Sequence, residues 1–168
     1  YDKMTKEEHI ELIRGIQEDA EWLTHMVENL LSVTRIDGGK LHLVTTPIVL
    51  EELIDSALTK FKKRYPEQEV ELTMPEEFIS IDMDPVLIEQ VLMNLLENAV
   101  KHAKNMSRLQ LHITEQMEDI LFQVMDDGIG FSNKDVGIGL SVCETIVKAH
   151  GGELLIGNRP EGGAVVSF

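Results

Sequence analysis

The most informative side chains are polar groups on a helix whose other face is apolar. Gln90, Asn94, Asn98 and His102 recur every four residues, with Lys101 beside them, so they share one flank of a helix. Asparagines inside a helix are unfavourable by propensity, because their amides compete for the backbone. An asparagine carbonyl is a hard oxygen ligand suited to Mg²⁺, which keeps several waters and bridges to substrate phosphates. Lysine adds a mobile positive charge for the same phosphates. For one asparagine alone, a solvated helix face is the simpler reading.

Two glycine-containing stretches add to this flank. Val124-Met125-Asp126-Asp127-Gly128-Ile129-Gly130-Phe131 delivers an acid from a strand into a turn that a ligand can approach closely. A carboxylate there can accept a hydrogen bond from an exocyclic amine such as that of adenine. Gly137-Ile138-Gly139-Leu140 opens a helix, and unpaired amides at a helix start bind phosphate. Neither stretch is specific by itself. No Gly-Lys-Ser/Thr follows as in a Walker loop, and no dinucleotide fingerprint is present.

Elements able to position these groups are legible in the pattern. Leu50, Leu53, Ile54, Ala57, Leu58 and Phe61 form the stripe of an amphipathic helix that Tyr65-Pro66 stops. Val70, Leu72 and Met74 alternate as a strand, and 78–83 is a second apolar run. Asp84-Pro85 is an acidic cap followed by proline at the first helical position. It starts a helix from Pro85 to about His102, with Ile88, Val91, Leu92, Leu95, Leu96 and Ala99 on the buried side. Strands at Leu109–Ile113, from Ile120 into Asp126, at Glu153–Gly157 and at Gly163–Phe168 surround a last helix that Gly151-Gly152 ends. Strands and helices do not alternate regularly, so the expected class is α+β, with helices on one face of a mixed sheet.

Upstream, Ile13, Ile16, Ala20, Leu23, Val27, Leu30 and Thr34 form a heptad seam. It predicts one long coiled-coil-like helix over about Thr5–Ile36, ended by Gly38-Gly39 and needing a partner helix. The expected division is residues 1–37 as this helical piece and 38–168 as the main domain.

Composition sets limits on partners. The chain has 168 residues, 43% hydrophobic and 27% charged, with a formal net charge of -15. That charge disfavours binding to nucleic acid or acidic lipid. It also repels polyphosphate, so a nucleotide site needs amides, a lysine or a metal ion. Cys143 is the single cysteine and reads as a buried thiol. No signal peptide and no bilayer-spanning apolar run is visible.

The stretches "IEQVLMNLLENAVKHA", "VMDDGIGF" and "VGIGLSVCETIVKAHGGEL" resemble, in that order, the N, G1 and G2 boxes of bacterial sensor histidine kinases. "DMDP" and "GGAVVSF" fit as well, and the likeness runs from about Leu50 to Phe168. "DAEWLTHMVENLLSVTRIDGGKL" resembles the second helix of that family's dimerisation domain, with wording most similar to the potassium-responsive KdpD group. The resemblance implies the Bergerat ATP-binding sandwich shared with gyrase, MutL and heat-shock chaperone ATPases. It implies ATP and Mg²⁺ as ligands, with Asn98 on the metal, Asn94 close to it and Lys101 on phosphate. His102 would lie beside the nucleotide, Asp126 would bind the adenine amine, and Gly128 and Gly130 would shape the base pocket. Gly137, Gly139 and Leu140 would form the phosphate side. An acceptor-histidine helix, a response regulator and a homodimeric parent protein are the implied partners, and the soluble cytoplasmic part of a membrane-anchored sensor is the implied setting.

One position separates phosphotransfer from hydrolysis. The gyrase-like ATPases have a water-activating glutamate four residues before the metal asparagine. Here that position is Asn94, and an amide is no general base at neutral pH. Glu97 lies about 100° from Asn98 around the helix. Two departures from the family remain. No histidine here carries the phosphoacceptor motif, His9, His25 and His42 included. Only Ser132-Asn133-Lys134-Asp135-Val136 separates Phe131 from Gly137, where the family has a long lid, so the expectation is a longer loop in the parent polypeptide. A hydrolytic ATPase of the same fold and a non-catalytic nucleotide-sensing or dimerisation module are the competing readings.

Overall fold

The computed structural model describes residues 9–10, 12–13, 16, 36–37, 40–41, 43–103, 105–117, 119–131 and 137–168. His9, Ile10, Leu12, Ile13 and Ile16 are helical. Most of the expected 5–36 helix lies outside the described residues, and its expected last residue is not helical. Ile36–Asp37 (β1) pairs antiparallel with Lys40–Leu41 (β2), Ile36 opposite Leu41. A glycine pair is compatible with both a helix stop and a tight hairpin, so the sequence did not separate the two.

The stretch before Leu50 contains a further strand, for which the sequence offered no signal. Thr46–Val49 (β3) pairs antiparallel with Ser80–Met83 (β5), Pro47 opposite Asp82. Proline is tolerated on such an edge strand, whose N–H side needs no partner. Ile79 lies outside β5, and its carbonyl accepts from Leu50 N–H at 3.0 Å.

Three helices carry the hydrophobic side of the core. Leu50–Arg64 (α1) has Glu51 and Glu52 in its first turn and Lys62, Lys63 and Arg64 in its last, which complements the helix dipole. It buries Leu50, Leu53, Ile54, Ala57 and Phe61, and Phe61 packs on Tyr65 with ring centroids 5.1 Å apart. Pro85–His102 (α2) starts as the sequence indicates: Asp84 Oδ1 accepts from Leu87 N–H at 3.2 Å, with proline following the cap. Ile138–Ala149 (α3) begins at Gly137 and packs on α2, which also touches α1.

The sheet runs in the order Val70–Thr73 (β4), Leu109–Gln116 (β6), Asp119–Asp126 (β7), Ala164–Ser167 (β9) and Leu155–Asn158 (β8). Only the β4–β6 pair is parallel. Along β6, Leu109, Leu111 and Ile113 point to the helices, and on β7 Phe122, Val124 and Asp126 do. Each large apolar side chain buried there contributes about 1.5–3 kcal/mol. This is the α+β sandwich expected from the element order. The register that buries Val124 also turns Asp126 inward, two residues on.

Candidate functional site

Asp126 ends β7 and is 6% exposed. Its Oδ1 accepts from Gly128 N–H at 2.9 Å and from Ala164 N–H at 3.3 Å. No described residue donates to Oδ2, so one oxygen of a buried carboxylate is left for a ligand donor. A pocket opens beside it. Apolar walls come from Val124 on β7, Leu95 and Ala99 on α2, and Ala164 and Val166 on β9. Gly130 and Phe131 close the side nearest the turn. A flat heterocycle with an amine edge is the chemistry this combination fits: apolar walls for its faces and one fixed acceptor for its edge.

Helix α2 contributes Asn98 and His102 to the pocket rim. Leu140, in the first turn of α3, forms the opposite rim. A Cβ built on Gly139 would lie 3.9 Å from Asn98 Nδ2, so the Asn98 carboxamide reaches the start of α3. The amides of that first turn have no intrahelical acceptor, and Gly137 meets no atom within 4 Å where a Cβ would be. An anion there would have amides on one side and the Asn98 carboxamide on the other. Among the described residues no group of three His, Cys, Asp or Glu side chains forms a metal cage. A Mg²⁺ ion held by one amide oxygen, waters and phosphate needs none.

Asn94, Gly128 and Lys101, also singled out in the sequence, do not line the pocket. Asn94 is 8% exposed and close to Cys143 of α3. The Cys143 thiol is pushed up to about 12 by burial, opposed by a hydrogen bond from Asn94. Gly128 packs on the end of α2, where a Cβ would lie 2.8 Å from Ala103 Cβ. Lys101 lies on the α2 flank, with Nζ 3.3 Å from Glu97 Oε2.

Glu97 is the group that helical-wheel reasoning underrated. It is 2% exposed, and its other oxygen lies 3.0 Å from Arg64 Nη1 at the end of α1. Geometry makes the Arg64 contact an ion pair more than an aligned hydrogen bond. The sequence placed this glutamate about 100° from Asn98 around the helix. The arginine opposite it, 33 positions earlier, was not visible there. Asn158, Arg159 and Gly163 were missed too, because their contacts to the Asp126 turn are long-range.

The five residues between Phe131 and Gly137, and the loop expected there, lie outside the described residues.

Residues 83–168 match the family described as histidine kinase-, DNA gyrase B- and HSP90-like ATPases. The chain belongs to that family. Among its relatives is the sensor protein KdpD of Clostridium acetobutylicum, 35% identical over 179 aligned positions that cover 94% of this chain and 20% of that protein. KdpD of Escherichia coli K12 is 36% identical over 160 positions, covering 84% of this chain and 18% of that protein. The chain thus spans about a fifth of these relatives. An alignment of 179 positions also exceeds the 168 residues here, so the Clostridium protein carries residues with no counterpart in this chain. Histidine kinase AdeS of Acinetobacter baumannii shares the fold, with a TM-score of 0.74, 22% identity and coverage of 99% of this chain and 84% of that one. The relatives and the fold place the chain among sensor histidine kinase ATP-binding domains, near the KdpD group. No helix among the described residues is long and apolar enough to cross a membrane.

Proposed function

We propose that this chain is the ATP-binding part of a dimeric sensor histidine kinase and transfers the γ-phosphoryl group of Mg²⁺-ATP to a histidine other than its own six. The observation that carries this reading is the half-occupied Asp126 carboxylate in a pocket rimmed by Asn98 and the first turn of α3. Asp126 Oδ2 accepts from the adenine amine while apolar walls exclude water from the base. Amides opening α3 hold phosphate oxygens, with Gly137 and Gly139 leaving room for them. Asn98 would hold Mg²⁺ through its carbonyl, with Asn94 supporting it from behind, and the ion would supply charge neutralisation at the phosphates. Lys101 exchanges Glu97 for a phosphate oxygen, and Arg64 keeps Glu97 compensated. His102 borders the nucleotide. Transfer to a histidine nitrogen then requires mainly positioning and charge neutralisation.

Phosphotransfer is favoured over hydrolysis because Glu97 stays paired with Arg64 when Lys101 turns to phosphate, and Asn94 offers no base. Residues 1–37 serve as the second helix of a dimerisation domain, a response regulator takes the phosphoryl group onward, and the parent protein is a membrane-anchored sensor with this part in the cytoplasm.

The test is calorimetry of ATP with and without Mg²⁺, followed by transfer of labelled γ-phosphate to an added acceptor-helix fragment. Labelled histidine is the expected outcome. Binding without transfer to any acceptor would favour a non-catalytic nucleotide sensor. Asn98→Ala should weaken binding about tenfold in Mg²⁺ and less without it. Equal losses would reassign Asn98 to a structural role.

A further inference from the structure

Two consecutive residues at the β8–β9 connection hold the two ends of the turn that carries Asp126. At its start, Arg159 Nη1 donates to Asp126 O at 3.2 Å. At its end, Asn158 Oδ1 accepts from Phe131 N–H at 2.6 Å, and Asn158 Nδ2 donates to Phe131 O at 3.1 Å. A single side-chain amide thus makes the paired bonds that a neighbouring strand would make. The donor and acceptor on Phe131 fix which way the amide points.

The connection is itself braced. Arg159 N–H donates to Gly163 O at 3.0 Å and Gly162 N–H to Arg159 O at 3.1 Å, closing the tip. Glu161 Oε1 accepts from Arg159 Nη2 at 2.6 Å and from Nε at 3.1 Å, orienting the guanidinium. Gly130 has φ +83°, and a Cβ there would lie 2.8 Å from Asn158 Oδ1, so the turn and the amide are fitted to each other. Gly130 and Phe131 line the same pocket as Asp126.

We infer that Asn158 is a positioning residue of the base side of the site: its amide sets where Gly130 and Phe131 stand relative to Asp126. This rests on the nucleotide reading above. Asn158 is exposed, so its two bonds are not enforced by the core. Removing them should loosen the turn and leave the sandwich intact.

Asn158→Ala is the direct test, with Asn158→Asp as a second variant. The aspartate keeps an acceptor for Phe131 N–H but sets an oxygen against Phe131 O. Both should melt close to wild type and lose hydrogen-exchange protection at the Phe131 amide. Affinity for ATP and for adenosine should fall about tenfold, while affinity for inorganic triphosphate stays unchanged. Wild-type adenosine affinity in both variants would overturn the inference, as would equal losses of adenosine and triphosphate, which mean general damage. A wild-type chain that binds no nucleotide would overturn the functional reading and this role with it. That failure is recognisable because it is seen before any substitution.

Discussion

Asp84 and Asp126 are both acids at strand ends, and both are buried, at 2% and 6% exposure. Asp84 spends both oxygens on the backbone: Oδ1 on Leu87 N–H at 3.2 Å and Oδ2 on Val44 N–H at 3.0 Å. Its own N–H donates to His150 Nε2 at 3.1 Å, and His150 Nδ1 lies 2.8 Å from Ile146 O, so the ring carries its proton on Nδ1. That cluster ties the start of α2 to the end of α3 and to the segment before β3. Asp126 spends one oxygen on two amides and keeps the other. A carboxylate with both oxygens engaged by the backbone is a joint, and one with an oxygen spare beside a pocket is a receptor. Burial alone does not distinguish them.

The contrast breaks most visibly at Asp84. Asp84→Ala removes a helix cap, worth about 1 kcal/mol, and the bond to Val44 N–H, which at that exposed residue is worth about 0.5–1.5 kcal/mol. Thermal melting should show a loss of about 1.5–2.5 kcal/mol, a fall of roughly 6 °C, with nucleotide affinity of the folded protein unchanged. An unaltered melting curve would deny Asp84 its role as a joint.

Asp126→Asn probes the other half. The amide oxygen can still accept from Gly128 and Ala164, while its NH₂ turns a donor toward a ligand donor. Calorimetry should show ATP affinity reduced about 10- to 100-fold, with little change in melting. Wild-type affinity would remove Asp126 from the site.

The smallest effect belongs to the exposed neighbour, Asp127. Its Oδ1 accepts from the amides of Ser107 and Arg108 at 2.8 and 2.9 Å, and its Oδ2 from the Ser107 hydroxyl at 2.5 Å. The Ser107 hydroxyl first, then those amides, lower its pKa from 3.8 to about 2. A lowered acid pKa stabilises the fold above the unfolded value. The gain is complete above about pH 4 and disappears as pH falls through about 2. Asp127→Asn should therefore flatten the acid limb of a melting-temperature profile between those limits. An unchanged limb would mean that the Ser107–Arg108 clamp does not couple to folding.

Much of this was legible in order along the chain. The cap at Asp84-Pro85, the extent of α2, the Asp126 turn and the glycine opening of α3 are local signals, set by helix starts, periodicity and close backbone approach. Thr46–Val49 was not legible, because a four-residue edge strand with a proline exists only through its partner β5. The angle of Glu97 from Asn98 follows from helix geometry, yet its significance depends on Arg64 arriving from another helix.

The sequence by itself determined which residues would stand on which face, and through the order of its boxes which family's site they form. Only the tertiary structure decided how each polar group is used. Gly163 is the clearest case. Its φ is +88°, and a Cβ there would fall 1.9 Å from Asp126 O, so a residue 37 positions away must be glycine for β9 to close on the acid. Local propensity could mark it as a turn residue but could not reveal that contact. Hydrogen-bond capacity is written in side-chain types, whereas its allocation is fixed by which strands and loops the fold brings within reach.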